Sequence, residues 1–339
     1  MIDLQMIWFL LVGVLVIGYA VLDGFDLGVG MLHLFAKDET ERRTNFNACG
    51  PVWDGNEVWL LTGGGALFAA FPIVYATVFS GFYLALMLLL AALIFRAVSF
   101  EFRSKVDSPS VKKIWDTAFG VSSFLIALLL SVAFGNILGG VPVTSSGVYT
   151  GTFFGLLNPY AVIIGLLGVV MFVMHGAIYL AMKSEGAHSL RMARWANGAW
   201  MAFIVLYLVA TLATFFYAHY LFDGMLKNPL FWVLFVLLLG SIGMIPLALK
   251  SGRFGRAFTA SSAVIASVIG LSAVSLFPRL VPSSIDLANS LTVYNASSST
   301  YTLTAMLIIA LIGVPIVLGY TIFMYRVFKG KVVLGPDSY

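Results

Sequence analysis

One cysteine in 339 residues, Cys49, excludes an intramolecular disulfide and any metal site built on paired cysteines. Such a thiol is expected to pack as a small apolar residue. Charge is scarce as well. Asp, Glu, Lys and Arg make up 10% of the chain, whereas a soluble domain carries about 25%. With 60% of the residues hydrophobic, that deficit excludes an ordinary soluble domain and points to lipid. No Lys or Arg precedes Lys37. The N-terminus therefore lacks the basic segment of a cleavable leader, and its apolar run outlasts the roughly 7–15 residues a leader uses. It is expected to be retained as the first span. Soluble-enzyme motifs are missing too. Gly28-Val29-Gly30 continues as Met31-Leu32-His33, which leaves a dinucleotide fingerprint incomplete, and neither a Gly-Lys-Ser/Thr phosphate loop nor His-Glu-x-x-His occurs. The net charge of +4 suggests an anionic partner, but the basic residues stand in short clusters between apolar runs. That is a membrane topology pattern, and nucleic acid is excluded as a partner.

What the chain does have is long uncharged sequence. A helix crossing the hydrocarbon core needs about 20 residues. On that basis the sequence reads as an all-α integral membrane protein of nine transmembrane helices forming one domain over 1–339. The spans are expected near 6–34, 50–72, 74–96, 117–138, 158–182, 195–222, 228–249, 257–278 and 303–325. Spans two and three share Val58–Phe95 and are expected to fold back near Pro72. The Lys and Arg count supports nine: the odd-numbered loops hold 3, 5, 3 and 3, the C-terminal tail 3, and the even-numbered loops 0, 0, 1 and 1. Because Lys and Arg prefer cytoplasmic loops, this alternation places the N-terminus outside and the C-terminus in the cytoplasm. The longest outer segment, Arg279–Thr302, is rich in Ser, Thr and Asn, and reads either as a plain surface loop or as a contact for another subunit.

Chemistry enters where ionisable groups enter the membrane. Asp23 and Asp26 in span one are three residues apart and so share a helix face, and Asp54 and Glu57 at the start of span two repeat the spacing. The 38 uncharged residues of Val58–Phe95 fall short of the roughly 40 that two spans require before any turn. The acids at one end and Arg96 at the other must then be drawn toward the bilayer. Asp23, Asp26, Asp54, Glu57 and Arg96 are thus expected to cluster at one depth on the cytoplasmic side. Intramembrane acids of this kind read as a proton path, and the plainer reading is a network that ties three helices together. Glycines surround them: Gly18, Gly24, Gly28 and Gly30 in span one, Gly63-Gly64-Gly65 in span two. Close helix approach is the ordinary reason, a backbone bared for a ligand or gas route the other. Of four histidines, His33 and His188 fall at cytoplasmic ends or loops and His219 at the outer end of span six. His175 alone lies well within a span, either hydrogen-bonded in the packing or as an axial haem ligand. The 13 methionines are scattered through apolar runs as filler.

Two blocks carry a resemblance. Gly18-Tyr19-Ala20-Val21-Leu22-Asp23-Gly24-Phe25-Asp26-Leu27-Gly28-Val29-Gly30, and Pro51-Val52-Trp53-Asp54-Gly55-Asn56-Glu57-Val58-Trp59-Leu60 continuing through Gly63-Gly64-Gly65-Ala66-Leu67-Phe68-Ala69-Ala70-Phe71-Pro72, resemble subunit II of cytochrome bd-type quinol oxidases. So do Phe95-Arg96, Phe100-Glu101-Phe102-Arg103, and the late segments Phe277-Pro278, Val281-Pro282-Ser283-Ser284, Ser290-Leu291-Thr292 and Ala296-Ser297-Ser298. The resemblance runs essentially end to end. It implies a prokaryotic plasma-membrane complex that oxidises quinol, reduces dioxygen to water and takes protons from the cytoplasm. The b and d haems and the quinol site are then expected in a partner, subunit I. This chain is expected to hold no haem and no metal, with a structural quinone or lipid left open, as are single-span accessory subunits. Asp23, Asp26, Asp54 and Arg96 become proton-route candidates by position. Glu57 joins them at a position where the family also uses glutamine, which holds a hydrogen bond without titrating. Trp59 is a candidate for an oxygen entrance, with helix packing as its plainer role. Two other readings stand beside this one: a proton-coupled secondary transporter, and a scaffold whose acids are all structural.

Overall fold

The computed structural model describes residues 3–335 and Ser338. Eight helices in it are long and apolar enough to cross a membrane: α1 (Leu4–His33), α5 (Tyr83–Arg103), α6 (Pro109–Gly139), α7 (Pro159–Lys183), α8 (Gly186–Tyr217), α9 (Pro229–Lys250), α10 (Phe254–Leu276) and α11 (Thr300–Val327). Three shorter helices complete the chain order: α2 (Glu39–Cys49), α3 (Trp53–Ala70) and α4 (Pro72–Gly81). Polar N-caps start several of them. Asp3 accepts from the Met6 amide at 2.8 Å, Asn158 from Ala161 at 2.9 Å and Ser299 from Thr302 at 3.2 Å, each satisfying an orphan helix donor.

The second and third expected spans need correction. Span two corresponds to α3, whose 18 residues reach about 27 Å and include Asp54, Asn56 and Glu57 in the first turns. The chain breaks at Phe71 because Pro72 has no amide hydrogen to continue the ladder and instead opens α4 at its first position. No immediate return follows. The ten residues of α4 sit beside the segment after α6, with Thr77 donating to the Gly147 carbonyl at 2.6 Å, and only then does α5 begin. The helix expected over 74–96 is therefore α5, over 83–103. Arg96 lies seven residues before its end, about 10 Å inside the helix terminus and not in a loop. The first loop is also more than a loop: α2 is an eleven-residue helix capped by Asp38. Span six begins nine residues earlier than expected and ends at Tyr217, followed by a single tight turn, His219–Phe222. The late segment Arg279–Thr302 carries a short antiparallel hairpin, β1 (Arg279–Val281) with β2 (Leu291–Thr292).

At the centre stands α1, packed against α3, α6, α7 and α10. Glycine makes the closest of these contacts. A Cβ on Gly28 would collide with the Phe172 carbonyl and with Gly176 of α7, one on Gly24 with the Phe172 ring, and one on Gly30 with Ser123 of α6. Small-residue packing holds for α1. It does not hold for the glycine triplet of α3, where Gly64 and Gly65 have open space at the Cβ position and Gly63 meets only Leu15 at 3.8 Å.

Candidate functional site

Burial of the second half of α1 on every side decides the fate of its acids. Asp23 is fully enclosed and Asp26 is 1% exposed. Arg96, brought in by α5, is enclosed completely. Its guanidinium donates through Nη1 to Asp23 Oδ2 at 2.9 Å, and Nη2 lies 2.8 Å from both Asp23 Oδ1 and Glu57 Oε2. One cation thus holds two carboxylates from two helices. Asp26 is held differently. Asn56 Nδ2 donates to Asp26 Oδ2 at 2.7 Å and to the Leu22 carbonyl at 3.1 Å, while its Oδ1 accepts from the Tyr325 hydroxyl at 3.0 Å. Four of the five expected members, Asp23, Asp26, Glu57 and Arg96, are brought together across α1, α3 and α5.

Asp54 is not. Its side chain is exposed and makes no hydrogen bond or ion pair among the described residues. It opens with Trp53 onto a groove against Ala97, Val98, Glu101 and Phe102 of α5. Spacing of three placed Asp54 and Glu57 near one another, yet a step of three turns the helix by about 60° short of a full circle. On α3, packed on one side only, the boundary between buried and exposed falls between them. Trp59 is 9% exposed and its ring fills the space a Gly18 side chain would need.

Sequence reasoning missed Asn56 and Tyr325. Asn56 stands inside the motif Pro51–Leu60, but an uncharged amide gives no sequence signal of an acid's partner. Tyr325 is 269 positions from its partner and carried no local signal. A second charged cluster, nearer the end of α1, was also missed. His33, fully enclosed although at the helix end, meets Asp116 at 2.8 Å. Arg103 pairs with Asp116 and forks onto Glu39 at 2.9 and 3.1 Å. Alongside, Glu41 accepts from Arg191 at 2.6 Å, and His188 meets Asn45 at 2.9 Å. These pairs clamp α2 onto α5, α6 and α8. Both histidines stand at helix ends, His33 closing α1 and His188 in the first turn of α8, and both side chains are buried.

The histidines are each engaged by a neighbour or at the surface. His175 is committed at both nitrogens, Nδ1 to Ser261 Oγ at 2.7 Å and Nε2 to the Val21 carbonyl at 3.1 Å, in line with the packing reading. His33 and His188 are held by Asp116 and Asn45, and His219 is exposed at the far end of the bundle. Among the described residues, no group of three His, Cys, Asp or Glu side chains is arranged to hold a metal ion. Cys49 is free and buried.

Comparison with known proteins places these residues in context. The profile of the family described as Cytochrome bd terminal oxidase subunit II matches residues 4–328. The chain is 39% identical over 360 aligned residues to the Cytochrome bd-I ubiquinol oxidase subunit 2 of Escherichia coli strain K12, covering 97% of this chain and 95% of that protein. It is 36% identical over 334 residues to the Cytochrome bd ubiquinol oxidase subunit 2 of Bacillus subtilis strain 168, covering 98% of each. A chain in the structure of the bd oxidase from Geobacillus thermodenitrificans shares the fold, with a TM-score of 0.80 over 96% of this chain and 98% of that one, at 17% identity.

Proposed function

Since this chain belongs to the subunit II family of cytochrome bd terminal oxidases, we propose that it supplies the oxidase with a proton-uptake limb and supports assembly of the haem-bearing subunit. It is one subunit of an oxidoreductase complex in the prokaryotic inner membrane, and its partner is a subunit I. The transporter reading is not favoured. The b and d haems and the quinol site belong, on this proposal, to subunit I, and no step here runs through them.

The observation that carries the reading is the enclosed Asp23–Arg96 pair, joined by the half-buried Glu57, with Asp26 beside Asp23 on the same helix. Intramembrane carboxylates are costly and generally serve proton or ion movement. Arg96 neutralises part of the charge, so the cluster can gain or lose one proton without burying a large net charge. Asp54 stands apart on the α3–α5 face and enters as a separate candidate of the same limb. The topology proposed is nine crossings, with α3 as the short, polar one, the N-terminus outside and the C-terminus cytoplasmic. Two contacts support it. Trp8 near the start of α1 donates to the Leu303 carbonyl near the start of α11 at 3.0 Å, so both helices begin at one end. At the other end Lys183 donates to Phe328 and Arg43 to Gly335, which gathers the Lys- and Arg-rich segments together.

The test is proton uptake by the purified complex in vesicles during oxygen reduction. Asp26→Asn is expected to slow uptake while haem content and subunit ratio stay normal. Wild-type uptake would leave the acids as structural ties. Trp59 is proposed to line an oxygen route; Trp59→Ala is expected to change the KM for oxygen, and an unchanged KM removes it from that role.

A further inference from the structure

The network also has a side that faces the Lys- and Arg-rich end. A cavity of about 320 Å³ lies there, between the α2–α3 connection, the end of α7 and the chain that follows α11. Val52, Tyr179 and Tyr325 are in its wall, with Lys183 and Lys331 beside them. The lysines are engaged: Lys331 pairs with Glu185 at 3.3 Å, and Lys183 donates to the Phe328 carbonyl at 2.6 Å. Tyr325 is where the cavity meets the acids. Its hydroxyl fixes Asn56 Oδ1, so the amide nitrogen of Asn56 must face Asp26, where it holds Oδ2. The other oxygen, Asp26 Oδ1, is buried and accepts from no nitrogen or oxygen donor among the described residues; the buried Cys49 thiol is its neighbouring polar group. A buried carboxylate oxygen left in that state is costly unless something visits it.

A side-chain amide has no readily exchanged acidic or basic function near neutral pH, so Asn56 cannot pass the proton itself. We propose that this cavity is the aqueous mouth of the proton route. Tyr325 and Asn56 are positioning residues that pin Asp26 Oδ2, and the Asp26 carboxylate behind them is the first acid a proton reaches. The step is proton transfer alone: hydronium gives its proton to the Asp26 carboxylate, leaving water and a neutral carboxylic acid, which later releases the proton toward the Asp23–Arg96 pair. The inference rests on the acid network being a proton route.

Three variants of the intact complex in vesicles test it, with proton uptake and haem reduction followed separately. Tyr325→Phe keeps the ring and removes the hydroxyl. It is expected to slow uptake about tenfold, the rate equivalent of one lost buried hydrogen bond, while haem reduction by quinol is unchanged. The second variant, Val333→Cys, places a thiol at the cavity rim, where the native side chain is 87% exposed. The native Cys49 is buried, so within this chain a bulky membrane-impermeant maleimide reacts at the new site only, and the labelled wild-type complex is the reference for any thiol of the partner. Labelling is expected to slow uptake, and this arm decides the matter if Tyr325→Phe does not assemble. Asp26→Asn is the third. If it is slow while Tyr325→Phe and the labelled rim both run at the wild-type rate, the mouth lies elsewhere and the acid route survives. Wild-type uptake in Asp26→Asn overturns both.

Discussion

Removing one carboxylate from Arg96 is the sharpest test of what the buried network contributes to stability. In Asp23→Asn the guanidinium keeps a single ionic partner, Glu57, whose side chain is 21% exposed, whereas Asp23 and Arg96 have no exposure at all. Breaking a buried pair from one side leaves an uncompensated charge and costs about 3–5 kcal/mol. At about 1.4 kcal/mol per factor of ten, that is roughly a hundred- to five-thousandfold in the equilibrium between intact and disrupted protein. Glu57→Gln is expected to cost less, because water already reaches part of that carboxylate and an amide oxygen can still accept from Nη2. The double variant Asp23→Asn with Arg96→Gln removes both charges and is expected to recover part of the loss, since neutral partners of similar size avoid the desolvation penalty. The assay is the midpoint for loss of subunit II from the detergent-solubilised complex on heating, read by subunit ratio. A single Asp23→Asn variant as stable as wild type, or a double variant no better than the single, would refute the assignment of Arg96 as a charge held mainly by Asp23.

Gly28→Ala and Gly64→Ala are expected to part company, although both are helical glycines in the resembling motifs. The first drives a methyl into the Phe172 carbonyl and the Gly176 backbone, where nothing flexible can yield, and is expected to prevent assembly as judged by membrane content of the chain. The second meets open space and is expected to be neutral, or to stabilise α3 by up to about 1 kcal/mol through helix propensity. Equal behaviour of the two would contradict the packing of α1 on α7. Acid is expected to loosen α2. Burial raises the Glu41 carboxyl, but hydrogen bonds from Arg191 and the Lys37 amide outweigh it and hold the group below its usual 4.5. A depressed carboxylate stabilises the folded state above its unfolded pKa, and that contribution fades as the pH falls through the lower, folded value. Proteolysis of the first loop should therefore quicken at or below about pH 4.5 in wild type, with Glu41→Gln showing fast cleavage at every pH.

Most of the helical plan was legible because lipid imposes it. Runs of about 20 apolar residues and alternating Lys and Arg clusters leave little freedom, and α7, α9, α10 and α11 fall within a few residues of expectation. The failures are at polar or broken segments. Hydropathy could not separate α4 from a span, because a ten-residue helix lying at the end of the bundle is as apolar as one crossing it. Nor could it find α2, whose place depends on Arg103 and Arg191 arriving from distant helices. The long contact from Tyr325 to Asn56 belongs to the same class.

The two acid pairs show what spacing can and cannot decide. A separation of three puts side chains near one another on a helix, but whether they are buried depends on how many neighbours that helix has. On α1 the answer is the same for Asp23 and Asp26, because α3, α6, α7 and α10 leave no open side. Those neighbours come so close only because Gly24, Gly28 and Gly30 present no side chain to Phe172, Gly176 and Ser123. On α3, where Gly64 and Gly65 face open space, the same spacing yields one half-buried carboxylate partner and one exposed acid. The glycines and the acids of α1 are therefore one device: bare backbone lets α6 and α7 close over the helix, and that closure is what takes Asp23 and Asp26 out of lipid and water and leaves Arg96 as the counter-charge for Asp23.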